Sequence, residues 1–155
     1  MKLYLVRHGE AVSEKTDPQR PLSPVGKKEV AKVAQFLKRA GVKVNEFYHS
    51  PLKRAQETAE IIRNTIYPSG QLVSKDYISP DDETDKMVYE LSQRKEDLMI
   101  VSHLPFLPKF ISRIVIKDEN INVIGLETAS VLAMYRDIQD HWQIVWLVSP
   151  SLIVD

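Results

Sequence analysis

The chain has 155 residues, enough for a domain that buries roughly 70% of the surface its unfolded form exposes, and one domain spanning residues 1–155 is expected. Its 21 lysines and arginines balance 21 aspartates and glutamates, so no global field draws it to nucleic acid or to an anionic membrane, and any anion binding has to be local. The absence of cysteine excludes disulfides, thiolate nucleophiles and cysteine-rich zinc sites and agrees with a reducing compartment.

The first element is anchored by Leu3-Tyr4-Leu5-Val6-Arg7-His8-Gly9-Glu10. Four consecutive apolar residues predict a strand buried on both faces, ending abruptly in a guanidinium, an imidazole, a glycine and a carboxylate. The glycine is expected to let the backbone turn tightly and approach a ligand. Ala11 to Leu22 is polar, carries Arg20, and is broken by Pro18 and Pro21, which predicts a loop over the strand end. Ser23-Pro24 reads as an N-cap with proline at the first helical position, and Val30, Val33, Ala34 and Leu37 keep core-facing spacing until Gly41. A second strand is predicted over Val44 to Tyr48. His49-Ser50-Pro51 repeats the cap-then-proline device, with Ser50 as N-cap, ahead of a helix whose buried stripe is Ala55, Thr58, Ala59, Ile62 and Ile66.

Tyr67 to Gly70 is a turn, and a third strand starts at Leu72-Val73 and runs toward Tyr77-Ile78. Ser79 to Asp85 is an acidic loop and helix cap, Met87, Val88 and Leu91 mark a short helix, and Arg94 to Asp97 is a charged run. Leu98 to Val101 is another fully apolar strand ending in Ser102-His103, followed after Pro105 and Pro108 by the helical stripe Leu107, Phe110, Ile111 and Ile114. Ser130 to Tyr135 and Trp142 to Val148 are strands of a hairpin closing one edge. Strands alternating with helices imply a three-layer α/β/α sandwich with a mostly parallel sheet and an antiparallel edge. No apolar run approaches the ~18 residues of a membrane span and the stretch ahead of Arg7 is too short for a signal peptide, so a cytoplasmic location is expected.

In such a sheet the carboxyl ends of the first, second and fourth strands share one edge, where ligands bind. Arg7-His8, Arg54 and Ser102-His103 arrive there. Arg54 falls in an opening helical turn already favourable to anions, and two guanidiniums offer bidentate forks matching phosphate oxygens. One neutral imidazole can attack phosphorus if its other nitrogen is held by an acceptor, while a second, protonated beside the anion, stabilises transition-state charge. His8 is assigned the first role and His103 the second, in a two-step transfer through a phosphohistidine with no metal or cofactor. Taken singly, each residue is more readily a structural or solvated group; their expected convergence is what points to chemistry. His49 and His141 read as ordinary polar residues, and the four histidines lack metal-ligand spacing.

Arg7-His8-Gly9, Ser50-Pro51-Leu52-Lys53-Arg54-Ala55-Gln56-Glu57-Thr58-Ala59 and Ser102-His103-Leu104-Pro105 resemble the histidine phosphatase (phosphoglycerate mutase-like) superfamily, and within it the small SixA-type phosphohistidine phosphatases. Asp17-Pro18-Gln19-Arg20-Pro21-Leu22-Ser23 and the Trp142 strand running into Ser149-Pro150 extend the likeness. The resemblance implies a phosphate pocket of Arg7, His8, Arg54 and His103, with His8 phosphorylated and Arg20 as an extra phosphate contact. Larger family members often have glycine before the second histidine and a carboxylate that protonates an alkoxide leaving group. Here Ser102 stands in the first place, and Asp81, Asp82 and Glu83 are the carboxylates available for the second, while Glu10 has a solvent-facing and an arginine-holding reading. Acid catalysis contributes about 10² to 10⁴ in rate, and an imidazole leaves with less help than an alkoxide, so a missing acid favours a phosphoramidate. Three functions follow: a phosphatase acting on a phosphorylated histidine-bearing protein, a phosphomonoesterase or mutase of small phosphorylated substrates, and a non-catalytic module binding phosphorylated ligands.

Overall fold

The computed structural model describes residues 1–154, in the order β1 (Lys2–Arg7), α1 (Pro24–Arg39), β2 (Glu46–His49), α2 (Lys53–Ile66), β3 (Gln71–Ser74), α3 (Asp85–Ser92), β4 (Leu98–Ser102), α4 (Phe106–Ile116), β5 (Val131–Arg136) and β6 (Trp142–Val148). The six strands form one sheet in the order β3-β2-β4-β1-β5-β6. β1, β2, β3 and β4 run parallel, and β5 and β6 add an antiparallel hairpin at the edge. The fold is thus an α/β sandwich with a mixed sheet.

The uninterrupted apolar runs of β1 and β4 are explained by the two layers they separate. Tyr4, Val6, Met99 and Val101 pack with Val30, Val33, Leu37, Ala55, Ala59 and Ile62 of α1 and α2. Leu3, Leu5, Leu98 and Ile100 face the other way, onto Met87 and Leu91 of α3 and Phe106, Phe110 and Ile111 of α4. Alternation along a strand sends successive side chains to opposite faces, so a strand covered on both sides needs apolar residues at every position.

Helix α1 starts as its sequence predicts: Ser23 Oγ accepts from the Gly26 N–H at 3.0 Å and Pro24 occupies the first helical position. Other boundaries differ. β2 begins at Glu46 rather than Val44, and β3 stops at Ser74 instead of continuing to Tyr77-Ile78. α2 begins two residues after Pro51, with Leu52 at its N-cap and no side-chain cap bond. Ser50 is therefore not the N-cap of α2; its hydroxyl accepts from the Leu52 N–H at 3.3 Å, ahead of the first helical turn. Thr84, at the N-cap of α3, likewise makes no side-chain cap bond, so the acidic loop does not cap that helix through a carboxylate.

The turn after β1 is set by close packing. A Cβ on Gly9 would lie 2.6 Å from Val30 Cγ2, and one on Gly26 would lie 2.1 Å from the Glu10 carbonyl oxygen. The two glycines let the chain leaving β1 lie directly against α1. The tight turn expected at Gly9 is thus required by its contact with the helix.

Candidate active site

Register brings three strand ends together. Arg7 of β1 pairs with Ser102 of β4, and His49 of β2 pairs with Val101, so the residues that follow emerge side by side. The His8 N–H donates to the Ser102 carbonyl at 3.1 Å, tying the first histidine to the strand that carries the second. The centres of the His8 and His103 rings are 4.9 Å apart, inclined at 54°. The side chain of each is held within the protein, with His8 9% and His103 1% exposed.

His8 Nδ1 lies 2.7 Å from the Gly9 carbonyl oxygen. A carbonyl only accepts, so Nδ1 carries the proton and Nε2 keeps its lone pair. The Gly9 N–H donates to Thr58 Oγ1 at 3.0 Å, and that hydroxyl donates to the Arg54 carbonyl at 2.7 Å. Thr58 thus couples the His8 turn to the first turn of α2, a role its place in the apolar stripe concealed. His103 Nε2 sits 2.5 Å from Ser50 Oγ, while its Nδ1 is buried without a protein partner.

Three guanidiniums surround the rings. Arg7 donates from Nη1 to the Leu126 carbonyl at 2.7 Å, a link across 119 residues that no local pattern announces. Arg54 extends from the second residue of α2, and the Nε atoms of Arg7 and Arg54 are both buried with no partner. Arg20 adopts a left-handed backbone (φ 48°) and donates from Nε to the Val12 carbonyl at 3.1 Å. Its loop is pinned by an Ala11–Leu22 bridge, by Val12 N–H to the Pro21 carbonyl at 2.9 Å, and by Leu22 N–H to Glu57 Oε1 at 2.9 Å.

Burial and these cations act in one direction on the imidazoles. Desolvation, then the charges of Arg54, Arg7 and Arg20, lower His8 to about 4 despite the opposing Gly9 bond. Desolvation, His8 and the same arginines lower His103 to about 3. Both rings are therefore neutral at pH 7, and protonation of His103, expected from the sequence, has to await an anion that offsets the guanidiniums. Burial also lowers Arg7 and Arg54.

Beside this cluster opens a cleft of about 580 Å³, lined by Glu14, Pro18, Arg20, Leu52, Lys53 and Arg54 among others. Glu14 raises Arg54 through its charge. The acidic loop lies differently: Asp82 Oδ2 accepts from the Ser79 N–H at 2.8 Å, and Asp82 and Glu83 line a separate hollow with Tyr77 and Lys86. Asp81 is exposed, as is Glu10, whose backbone carbonyl accepts from Ser23 N–H at 2.9 Å. His49 is buried, with Nδ1 2.8 Å from the Ser50 carbonyl.

The arrangement of Arg7-His8 at the end of β1 and Arg54 at the start of α2 falls within residues 3–72, which match the sequence model of the histidine phosphatase superfamily (branch 1). Over this stretch the chain is similar to the histidine phosphatase superfamily. Curated relatives match over about two fifths of the chain. A mitochondrial serine/threonine-protein phosphatase PGAM5 of Xenopus laevis is 38% identical over 61 residues, 39% of this chain and 22% of that protein. An uncharacterised Picosynechococcus protein is 40% identical over 65 residues, 40% of this chain and 39% of its own length. The chain thus matches well under half of each of these relatives.

Among solved structures, the protein histidine phosphatase SixA in complex with tungstate superposes with a TM-score of 0.85 at 20% identity, covering 97% of this chain and 98% of that one. The alpha-ribazole phosphatase of Shigella flexneri gives 0.81 at 18% identity, covering 100% of both chains. A phosphoserine phosphatase mutant of Entamoeba histolytica bound to phosphoserine gives 0.74 at 17%, covering 98% and 99%. The fold of this chain is the one these proteins share. Among its described residues, no helix is long and apolar enough to cross a membrane.

Proposed function

We propose that this chain is a metal-independent phosphatase working through a phosphohistidine at His8, and that its substrate is a phosphorylated histidine on another protein. The observation that carries the reading is the His8 ring: Nδ1 is committed to the Gly9 carbonyl, so the free Nε2 lone pair stands beside a second imidazole and three guanidiniums. In the first step Nε2 bonds to phosphorus while the bond to the leaving nitrogen breaks. That nitrogen keeps the electron pair and takes a proton from water. In the second step a water oxygen bonds to phosphorus, the bond to His8 breaks, and inorganic phosphate departs with release of a proton. Arg7 and Arg54, with Arg20 at the cleft, hold the equatorial oxygens by charge-assisted bonds.

The surroundings of the acidic loop support a nitrogen leaving group. Asp82 closes its own turn, and Asp82 and Glu83 line a hollow whose walls include neither imidazole, so neither carboxylate is seen engaged with the histidine pair. A phosphate ester is the second reading, favoured by the phosphoserine and alpha-ribazole phosphatases among proteins of this fold. The test is hydrolysis of a phosphohistidine-bearing protein in parallel with a panel of phosphate esters, in the presence of chelator. The expected result is full activity on the former, with His8→Ala reducing turnover by at least about 10³-fold and abolishing an acid-labile label on the enzyme. Turnover surviving His8→Ala would reject the nucleophile. A preference for esters that is lost in Asp81→Ala, Asp82→Ala or Glu83→Ala would move the assignment to the second reading.

A further inference from the structure

Ser50 and His103 are both fully enclosed, at 0% and 1% exposure. The Ser50 hydroxyl has two neighbours, the Leu52 N–H at 3.3 Å and His103 Nε2 at 2.5 Å. An amide N–H only donates, so the single hydroxyl proton has one acceptor in reach, the ring nitrogen. If Nε2 instead carried the ring proton, the Ser50 proton and the Nδ1 lone pair would both be buried without partners, which costs free energy twice.

We infer that Ser50 is a positioning residue that fixes His103 as its Nδ1–H tautomer, turning an uncharged imidazole into a hydrogen-bond donor toward the bound phosphoryl group. The inference rests on the phosphoryl-transfer reading above and deepens it. His8 is fixed in the same tautomer, but there the Nδ1–H is used up on the Gly9 carbonyl and Nε2 is the free atom. In His103 it is Nε2 that is used up, and Nδ1 that has no protein partner. One ring therefore presents a lone pair and the other a proton, and neither needs a net charge before substrate arrives. The neutral donor also avoids adding a fourth cation to three guanidiniums in an empty pocket.

The experiment uses the full chain with ¹⁵N-labelled histidine and long-range ¹H–¹⁵N spectra at pH 7. His103 Nδ1 is expected to show the shift of a protonated, pyrrole-type nitrogen and Nε2 that of an acceptor, with the Nδ1–H proton moving downfield when inorganic phosphate or tungstate is added. In Ser50→Ala the bias toward Nδ1–H is expected to disappear, with kcat falling about 10- to 100-fold. Ser50→Thr, which keeps a hydroxyl, is expected to restore tautomer and rate together. An Nε2–H His103 in the unmodified chain would overturn the inference, whatever the variants do. So would a Ser50→Ala protein that keeps the Nδ1–H form. These readouts do not need turnover: the expected tautomer in a chain that hydrolyses nothing would defeat the phosphatase reading alone, and brisk hydrolysis with the opposite tautomer would defeat only the role of Ser50.

Discussion

Desolvation is the largest force on both site imidazoles, and the arginine charges reinforce it. The consequence is measurable without substrate. A ¹H–¹⁵N titration should find His8 neutral down to about pH 4 and His103 down to about pH 3. Arg54→Ala removes one cation and admits water, so both midpoints should rise toward the ordinary 6.5. Inorganic phosphate should raise them as well, because an anion favours the charged ring. A His8 midpoint near 6.5 in the unmodified protein would show that the pocket is wetter and less cationic than its geometry implies. At this scale the sequence was legible where chemistry is carried by residue type: Arg7, His8, Arg54 and His103 meet at one strand edge. It was illegible at Ser50, since Ser-Pro before a helix marks a cap at Ser23 and something else here. At Ser23 the helix starts on the proline and the hydroxyl accepts from Gly26 N–H, whereas at Ser50 the helix starts two residues after the proline and a distant imidazole shares the hydroxyl.

At the scale of elements, the tight crossing of the chain after β1 over α1 determines where His8 stands. A methyl group at Gly26 would meet the Glu10 backbone, which has no side-chain freedom to yield. Gly26→Ala should therefore destabilise the fold by about 2 to 4 kcal/mol, read from urea unfolding, and weaken phosphate binding by displacing Gly9-Glu10. Gly125→Ala, where nothing lies within 4 Å of the new carbon, is the control and should change stability by less than about 0.5 kcal/mol. Equal behaviour of the two variants would show that the crossing is softer than its contacts require. The strands β1 and β4 were readable because burial on both faces demands a continuous apolar run. β3 was overextended because Tyr77 and Ile78 are apolar for other reasons. The Tyr77 hydroxyl bonds Glu90, and Ile78 is buried with its carbonyl accepting from Ser102 Oγ at 2.6 Å. Such contacts arise only after α3 and β4 are in place.

For the whole molecule, the depressed imidazoles link the site to stability. The folded state holds His8 neutral while the unfolded chain protonates it near 6.5, so the unfolded form binds more protons as pH falls. Stability present above about pH 6.5 is then lost progressively toward pH 4, by on the order of 3 kcal/mol for His8 alone. Denaturant unfolding at a series of pH values should show this loss, reduced by inorganic phosphate and flattened in the His8→Ala/His103→Ala double variant. An acid profile unchanged in that variant would assign the loss to carboxylates instead. The mostly parallel sheet with an antiparallel edge followed from the alternation of strands and helices, whereas the strand order β3-β2-β4-β1-β5-β6 did not. Nor did the contribution of residues 118–130, since Arg7 reaches Leu126 and the Ala129 N–H meets the Arg7 and His8 carbonyls through an irregular segment with no periodicity to read.

Strand β6 carries no charged residue and forms one border of the sheet. Ala133 pairs with Trp146 but Met134 with Ile144, which leaves Val145 as one residue too many, 59% exposed. An extra residue bends and twists a strand, so its outward amides and carbonyls no longer form the even row that another sheet could extend. A border built from Trp, Ile and Val is thereby guarded against fibre-like stacking by its shape, where other proteins station a lysine.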